Sequence, residues 1–268
     1  MQRLKWFVVL ITLLWSVGVH AKTIVLIHGF QAKGMDWRLS RVSQGLQATG
    51  WVEGGHFQAT PRGIWNSTQL PRRPVDIFYT VDLPSMALVE VQAQWLDKYL
   101  GAIYQVRGEP LELVAHSAGG VVARYWLVGK RPVPINSLLT IASPHVGTPV
   151  SDLINTMMAT PWGRIADDLG LRSMYQASST LLQQLNEERP GNFMYWLNHQ
   201  PHPSVRYISV VRDNEHPSQF DFIVPFFSQN MNNVLALHGR SEVWASKGNH
   251  FLGRNDGFVI NQILRARP

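Results

Sequence analysis

The 268-residue chain is 45% hydrophobic and 16% charged, a balance that excludes disordered and fibrous classes and suits one large domain with a single core. It has no cysteine, which excludes disulfides, thiolate-bound metal and a thiol nucleophile. The formal net charge of +6 is scattered along the chain; "PRRP" at 71–74 is the one dense basic patch, and no nucleic-acid signal accompanies it.

Residues 1–21 read as a secretory signal. "MQRLK" puts Arg3 and Lys5 in a head without acids, "WFVVLITLLWSVG" is apolar throughout, and "VHA" ends in small residues two apart. A membrane span needs about 20 apolar residues, and this stretch is shorter. Cleavage after Ala21 and export to the periplasm or beyond is the expectation, with an uncleaved anchor as the alternative.

"TIVLI" (23–27) is a continuous β-branched run ending at "HGF", which predicts a buried strand at the start of the mature chain. "DIFYTV" (76–81) is the second strand. Over 85–105, Leu88, Val91, Trp95, Tyr99 and Ile103 recur at helical spacing and predict a packed face. "LELVA" (111–115), "SLLTIA" (137–142), "VRYISVV" (205–211) and "EVWA" (242–245) complete the set, with segments of helical length such as 117–129 and 255–265 between several of them. Strands alternating with helices predict an α/β protein with a mostly parallel six-stranded sheet and helices on both faces. No repeat or linker divides 22–268. Residues 148–204 stand apart as a long insertion between two strands, expected to contain helices. Its segments "LINTMMATPWGRIA", "STLLQQLN" and "FMYWLN" suit either plain core or a cap over a pocket.

"AHSAGG" (115–120) runs directly from a strand into "VVARYWLV", a helical composition. A serine on so sharp a turn is held in a strained conformation, and its neighbours two before and two after must be small because strand and helix nearly touch. Ala115 and Gly119 meet that demand. The turn lifts the Ser117 hydroxyl above the sheet edge and points the amide of Ala118 from the start of a helix, where unpaired N–H groups attract negative charge.

A serine hydroxyl is a poor nucleophile at neutral pH and requires a base and a group that orients the base. In this architecture they belong at the ends of later strands, acid before histidine. "FDFIVPFFSQ" (220–229) offers Asp221 and "SKGNHFLG" (246–253) offers His250. A second oxyanion donor is expected after the first strand, where the amide of Phe30 in "HGF" partners that of Ala118.

Together "VLIHGF", "AHSAGG", "TIASPHVGTP", "DFIVP" and "GNHFLG" resemble the bacterial lipase and esterase branch of the α/β-hydrolase fold, over roughly residues 23–260. The elbow departs from the usual pattern in having Ala115 where Gly is common. The resemblance implies Ser117 as nucleophile, His250 as base, Asp221 as its orienter, and Phe30 and Ala118 as the oxyanion hole. It implies no cofactor. It also implies a reduced form of the fold, since no residues remain after Ala21 for the usual first two antiparallel strands. The insertion 148–204 matches no particular member.

Rivals exist for each role. Asp213 in "VVRDNEH" directly follows its strand; "DFIVP", which resembles the family's acid loop, favours Asp221. His145 precedes both acids and is expected to line the site, His238 reads as a turn residue and His216 as a loop residue, and His28 and His116 read as supports. No His/Asp/Glu spacing makes a metal site, the nearest candidate being a structural calcium at "RND" (254–256). The expected activity is hydrolysis of carboxylic esters, of the acylglycerol or lipid class, through an acyl-serine, with transient contact at a lipid surface. An acyltransferase or thioesterase would use the same three residues, and a binding protein of this fold would lack one of them.

Overall fold

Successive side chains of a strand point to opposite faces, and each face of β1 (Thr23–Ile27) meets its own apolar core. Val25 and Ile27 enter one, Ile24 and Leu26 the other, which is why this strand is apolar without alternation. The computed structural model describes residues 21–68, 75–129, 132–149, 179–213 and 221–266. Its further strands are β2 (Val52–Thr60), β3 (Gly63–Asn66), β4 (Ile77–Val81), β5 (Leu111–His116), β6 (Ile135–Ile141), β7 (Arg206–Arg212) and β8 (Ser241–Ser246). They form one sheet in the order β3-β2-β4-β1-β5-β6-β7-β8. Every pairing is parallel except β2–β3.

The helices whose full length is described are α1 (Asp36–Leu39), α2 (Val42–Ala48), α3 (Val89–Arg107), α4 (Ala118–Val128), α5 (Phe193–Asn198), α6 (Phe226–Gln229) and α7 (Arg254–Arg265), together with short 3-10 turns at Met231–Asn233 and Leu235–Leu237. α3 and α4 cover the face that contains Val25, and α2 and α7 the face that contains Ile24. The α/β class and the two-sided helical cover agree with the sequence.

Among the described residues the sheet has eight strands rather than six. The additional pair, β2 and β3, lies between β1 and β4 in the chain and at the sheet edge in space. β2 reads "VEGGHFQAT": its ladder to β4 shifts register between Glu53 and Gly55, and this breaks the alternation that announces a strand. β3 is short and exposed along most of its length, as an edge strand is. The expected face of α3 is also rotated. Val91 is exposed and Trp95 only partly buried under the Lys98 ammonium, whereas Val89, Gln92, Ala93, Leu96 and Leu100 are buried with Tyr99 and Ile103.

Residues 1–20, which carry the secretory-signal expectation, lie outside the described residues, as do 71–74, 150–178 and 214–220 with His216. Among the described residues no helix is long and apolar enough to cross a membrane. In the described part of the insertion, α5 matches "FMYWLN", and Leu181, Leu185, Met194 and Leu197 join the core beside α4.

The insertion is tied to α4 by a fully buried cation. Arg124 donates to the Asn198 side-chain oxygen (2.7 Å), the His145 carbonyl (3.1 Å), His145 Nδ1 (3.3 Å) and His202 Nε2 (3.3 Å). Asn198 in turn donates to Glu188 at 2.7 Å, so the nearest negative charge is one step removed. Burial pushes the guanidinium down to about 9, still charged at neutral pH. Both imidazoles accept from it and so must be neutral: burial first, then Arg124, hold His145 well below its ordinary value and His202 down to about 4.

Two outcomes follow for stability. The unfolded chain, with histidines near 6.5, takes up protons before the folded one does. The neutral rings therefore contribute fully above that pH and lose that contribution as pH falls below it, for His202 toward about 4. Thermal melts should fall between pH 7 and 5, and His202→Gln, which still accepts but cannot charge, should flatten the slope; an equal slope in both proteins would contradict this origin. Packing predicts an opposed pair. α2 and α7 cross at Gly45 and Gly257, where a Cβ on Gly257 would stand 2.9 Å from the Gly45 Cα, whereas Gly101 in α3 faces open space. Gly257→Ala should cost about 2 kcal/mol and Gly101→Ala should gain about 0.5–1 kcal/mol in urea unfolding; shifts of the same sign would refute the packing account.

Candidate active site

β5 ends at His116 and α4 begins at Ala118, so Ser117 alone makes the turn. Its backbone sits at φ 52°, ψ −131°, a combination that costs a residue with a Cβ about 1–3 kcal/mol. The surroundings hold it there: the Ser117 N–H donates to the Ile141 carbonyl at 2.9 Å, and its carbonyl accepts from Gly120 N–H at 3.0 Å. Gly119 is required because a Cβ there would lie 3.0 Å from the Ile27 carbonyl oxygen and closer still to that of His28. Ala115, the other small neighbour, is fully buried in β5.

The three residues expected to act together meet at this turn. His250 Nε2 lies 2.9 Å from Ser117 Oγ, and His250 Nδ1 lies 2.8 Å from Asp221 Oδ2. A carboxylate can only accept there, so Nδ1 carries the proton and Nε2 is left to accept from the serine hydroxyl. All three side chains are buried, the imidazole 8% and the carboxylate 2% exposed. Asp221 is held by four donors: Ile223 and Val224 N–H to Oδ1 (2.9 Å each), and Gln229 Nε2 (3.0 Å) and the imidazole to Oδ2. Asp213, the rival acid, is exposed at the end of β7, and its N–H donates to the Ser246 carbonyl.

The HGF loop lies against the elbow, since a Cβ on Gly29 would stand 2.9 Å from the Ser117 Cβ. Leu83 N–H donates to His28 Nε2 at 2.9 Å, which places the His28 proton on Nδ1, 2.9 Å from the Gly29 carbonyl. A peptide is planar, so holding the Gly29 carbonyl fixes the direction of the Phe30 N–H. Among the described residues no hydrogen bond claims the amide of Phe30 or of Ala118. Burial keeps His28 below its ordinary value and therefore neutral at neutral pH. The Phe30 ring packs against Leu182, Ile223 and Val224, an apolar cluster between the HGF loop, the insertion and the Asp221 loop.

His116 donates from Nε2 to the His250 carbonyl at 2.8 Å, with ring centres 5.0 Å apart. Burial first, then the charge that His250 would carry, hold His116 well below its ordinary value, so it stays the neutral donor that this bond needs. His145 does not line the site. It is fully buried, directed at Arg124 and Thr140, because the segment after β6 turns beneath α4. His238 bonds the Asn232 carbonyl in an exposed turn. Asp256, the candidate calcium ligand, is engaged through both oxygens by Arg212, and Oδ2 also accepts the Gly253 N–H. Among the described residues no group of three or more His, Asp or Glu side chains is placed to hold a metal. Gln229 and Arg212 carry no motif signal, and sequence reasoning missed them both.

Residues 78–168, which include Ser117, match the family described as PGAP1-like alpha/beta domain. No curated protein matches the chain. Among solved structures it is similar to the Bacillus licheniformis lipase BlEst2. The propeptide form is 17% identical with a TM-score of 0.63, covering 93% of this chain and 51% of that one. The mature form is 16% identical with a TM-score of 0.58, covering 92% of each. A Listeria innocua gene product is 15% identical with a TM-score of 0.57, covering 92% of this chain and 90% of its own. A metagenomic carboxyl esterase is 11% identical with a TM-score of 0.54, covering 87% and 66%. At such identities the likeness carries the fold alone. The chain has the α/β-hydrolase fold, and its structural neighbours include bacterial lipases and esterases of that fold.

Proposed function

We propose that the chain is an exported serine hydrolase that cleaves carboxylic esters of the lipid class through an acyl-serine. The hydrogen-bonded series Ser117–His250–Asp221, at a strained strand-to-helix turn, carries this reading. His250 Nε2 takes the hydroxyl proton as Ser117 Oγ attacks the ester carbonyl, and Asp221 holds the imidazole in the tautomer that makes this feasible. The amides of Phe30 and Ala118, unclaimed within the described residues, receive the tetrahedral oxyanion. The imidazolium returns its proton to the departing alcohol, and water then attacks the acyl-serine with His250 again as base.

The apolar cluster of Phe30, Leu182, Ile223 and Val224 beside these groups supports an acyl chain rather than a peptide. Exposed Phe222 and Phe251, next to Asp221 and His250, support an apolar leaving group or a transient lipid-surface contact. Export rests on the basic, then apolar, then small-residue pattern of residues 1–21.

A p-nitrophenyl ester should give a burst of product, and a fluorophosphonate should label Ser117. Ser117→Ala should abolish both, and Asp221→Asn should lower kcat by about 10⁴-fold through loss of the correct tautomer. Turnover unchanged in Ser117→Ala would end the proposal.

A further inference from the structure

Arg212, the last residue of β7, is 4% exposed, yet the reaction outlined above gives it no task. Its guanidinium reaches into the segment between β8 and α7, the segment that carries His250. All four terminal N–H groups are engaged. Nη1 donates to Ser246 Oγ and to Asp256 Oδ1, both at 2.7 Å. Nη2 donates to Asp256 Oδ2 at 3.0 Å and to the carbonyl of Phe251 at 3.3 Å. Among the described residues Nε has no partner.

These contacts are placed where they control one side chain. Ser246 closes β8 four residues before His250, Phe251 is its direct successor, and Asp256 lies in the first turn of α7. The loop is thus gripped at both ends and beside the histidine. The main chain of Arg212 reaches the other partner of the imidazole: its N–H donates to Gln229 Oε1 at 2.8 Å, and Gln229 Nε2 donates to Asp221 Oδ2 at 3.0 Å. One residue is bonded directly to the base's loop and, through Gln229, to the acid.

We propose that Arg212 is a positioning residue that sets the His250 imidazole in line between Asp221 and Ser117, with Ser246, Phe251 and Asp256 as its anchor points. The inference rests on the acyl-transfer reading of the site. An ion pair that merely stabilised the fold would be satisfied by any cation facing Asp256. Positioning requires the planar fork, because a lysine ammonium is a single point and cannot span Ser246, Asp256 and the Phe251 carbonyl together. A misplacement of about 1 Å at a reacting group costs about 10²-fold in rate.

Arg212→Lys separates the two roles. With a soluble short-chain ester, kcat per folded molecule should fall by about 10- to 100-fold with KM little changed, and fluorophosphonate labelling should slow in parallel. In ¹⁵N-histidine-labelled protein, the His250 Nδ1 proton bonded to Asp221 should give a downfield resonance that broadens in the variant. That resonance tests the clamp even if the wild type neither turns over an ester nor takes the label, a result that would count against the hydrolase reading instead. Folded Arg212→Lys with wild-type kcat and an unchanged imidazole proton overturns the inference, as does a loss that only follows the folded fraction. Should Arg212→Lys not fold, Ser246→Ala removes one anchor and keeps the ion pair: a drop in kcat of about 3-fold or more with the same broadening supports positioning, and wild-type values of both refute it.

Discussion

A strand can pass into a helix through one residue only if that residue leaves the ordinary backbone regions, and Ser117 does so at φ 52°. The position of every other group in the candidate site depends on this turn. It brings α4 so near the end of β1 that glycine is required at 119, and it sets the hydroxyl where the loops after β7 and β8 can reach it. The conformation persists because β5 is paired on both sides, with β1 and β6, and the carbonyl of Ile141 at the end of β6 accepts the Ser117 N–H. Strain at Ser117 is thus held by the most buried part of the sheet.

Around that turn one buried carboxylate is bonded to His250, and two further imidazoles stand close to the serine and histidine loops. His28 and His116 are kept uncharged by burial, and each uses its proton to hold a carbonyl, of Gly29 and of His250 respectively. Asp221 is the acceptor for four donors, which lets it be buried without losing the bonds water would have supplied. His250, bonded to Asp221 on one side and to Ser117 on the other, is the group to which a proton from Ser117 can move, which is what the proposed acyl transfer asks of it. A second set of neutral imidazoles, His145 and His202, accepts from Arg124 of α4 by the same logic and braces that helix.

Much of this was legible in the residues because the relevant physics is short-ranged. The apolar runs of β1, β4, β5, β6 and β7 are dictated by burial on both faces, and the small residues at 115 and 119 by contact across one turn. The legibility fails where the deciding neighbour is distant in the chain. β2 and β3 were hidden because a glycine pair and a register shift interrupt alternation at a sheet edge. The packed face of α3 was rotated from Val91 to Val89 and Leu96, since helical spacing defines several adjacent stripes and only the facing elements select one. His145 was expected at the site from its place after a strand, yet the turn of the loop sends it beneath α4 toward Arg124.

By itself the sequence determined that a serine stands between a buried strand and a helix, with its small neighbours, and that an acid and a histidine follow in the order the architecture uses. Those features are set by steric and burial rules acting over a few residues. Only the tertiary structure decided that His250 bonds Asp221 rather than Asp213, that Gln229 and Arg212 brace the two loops, and that an additional hairpin closes one sheet edge. The bond between residues 117 and 250 spans a separation of 133 along the chain, and local preference carries no information about which loops the order of strands will bring together.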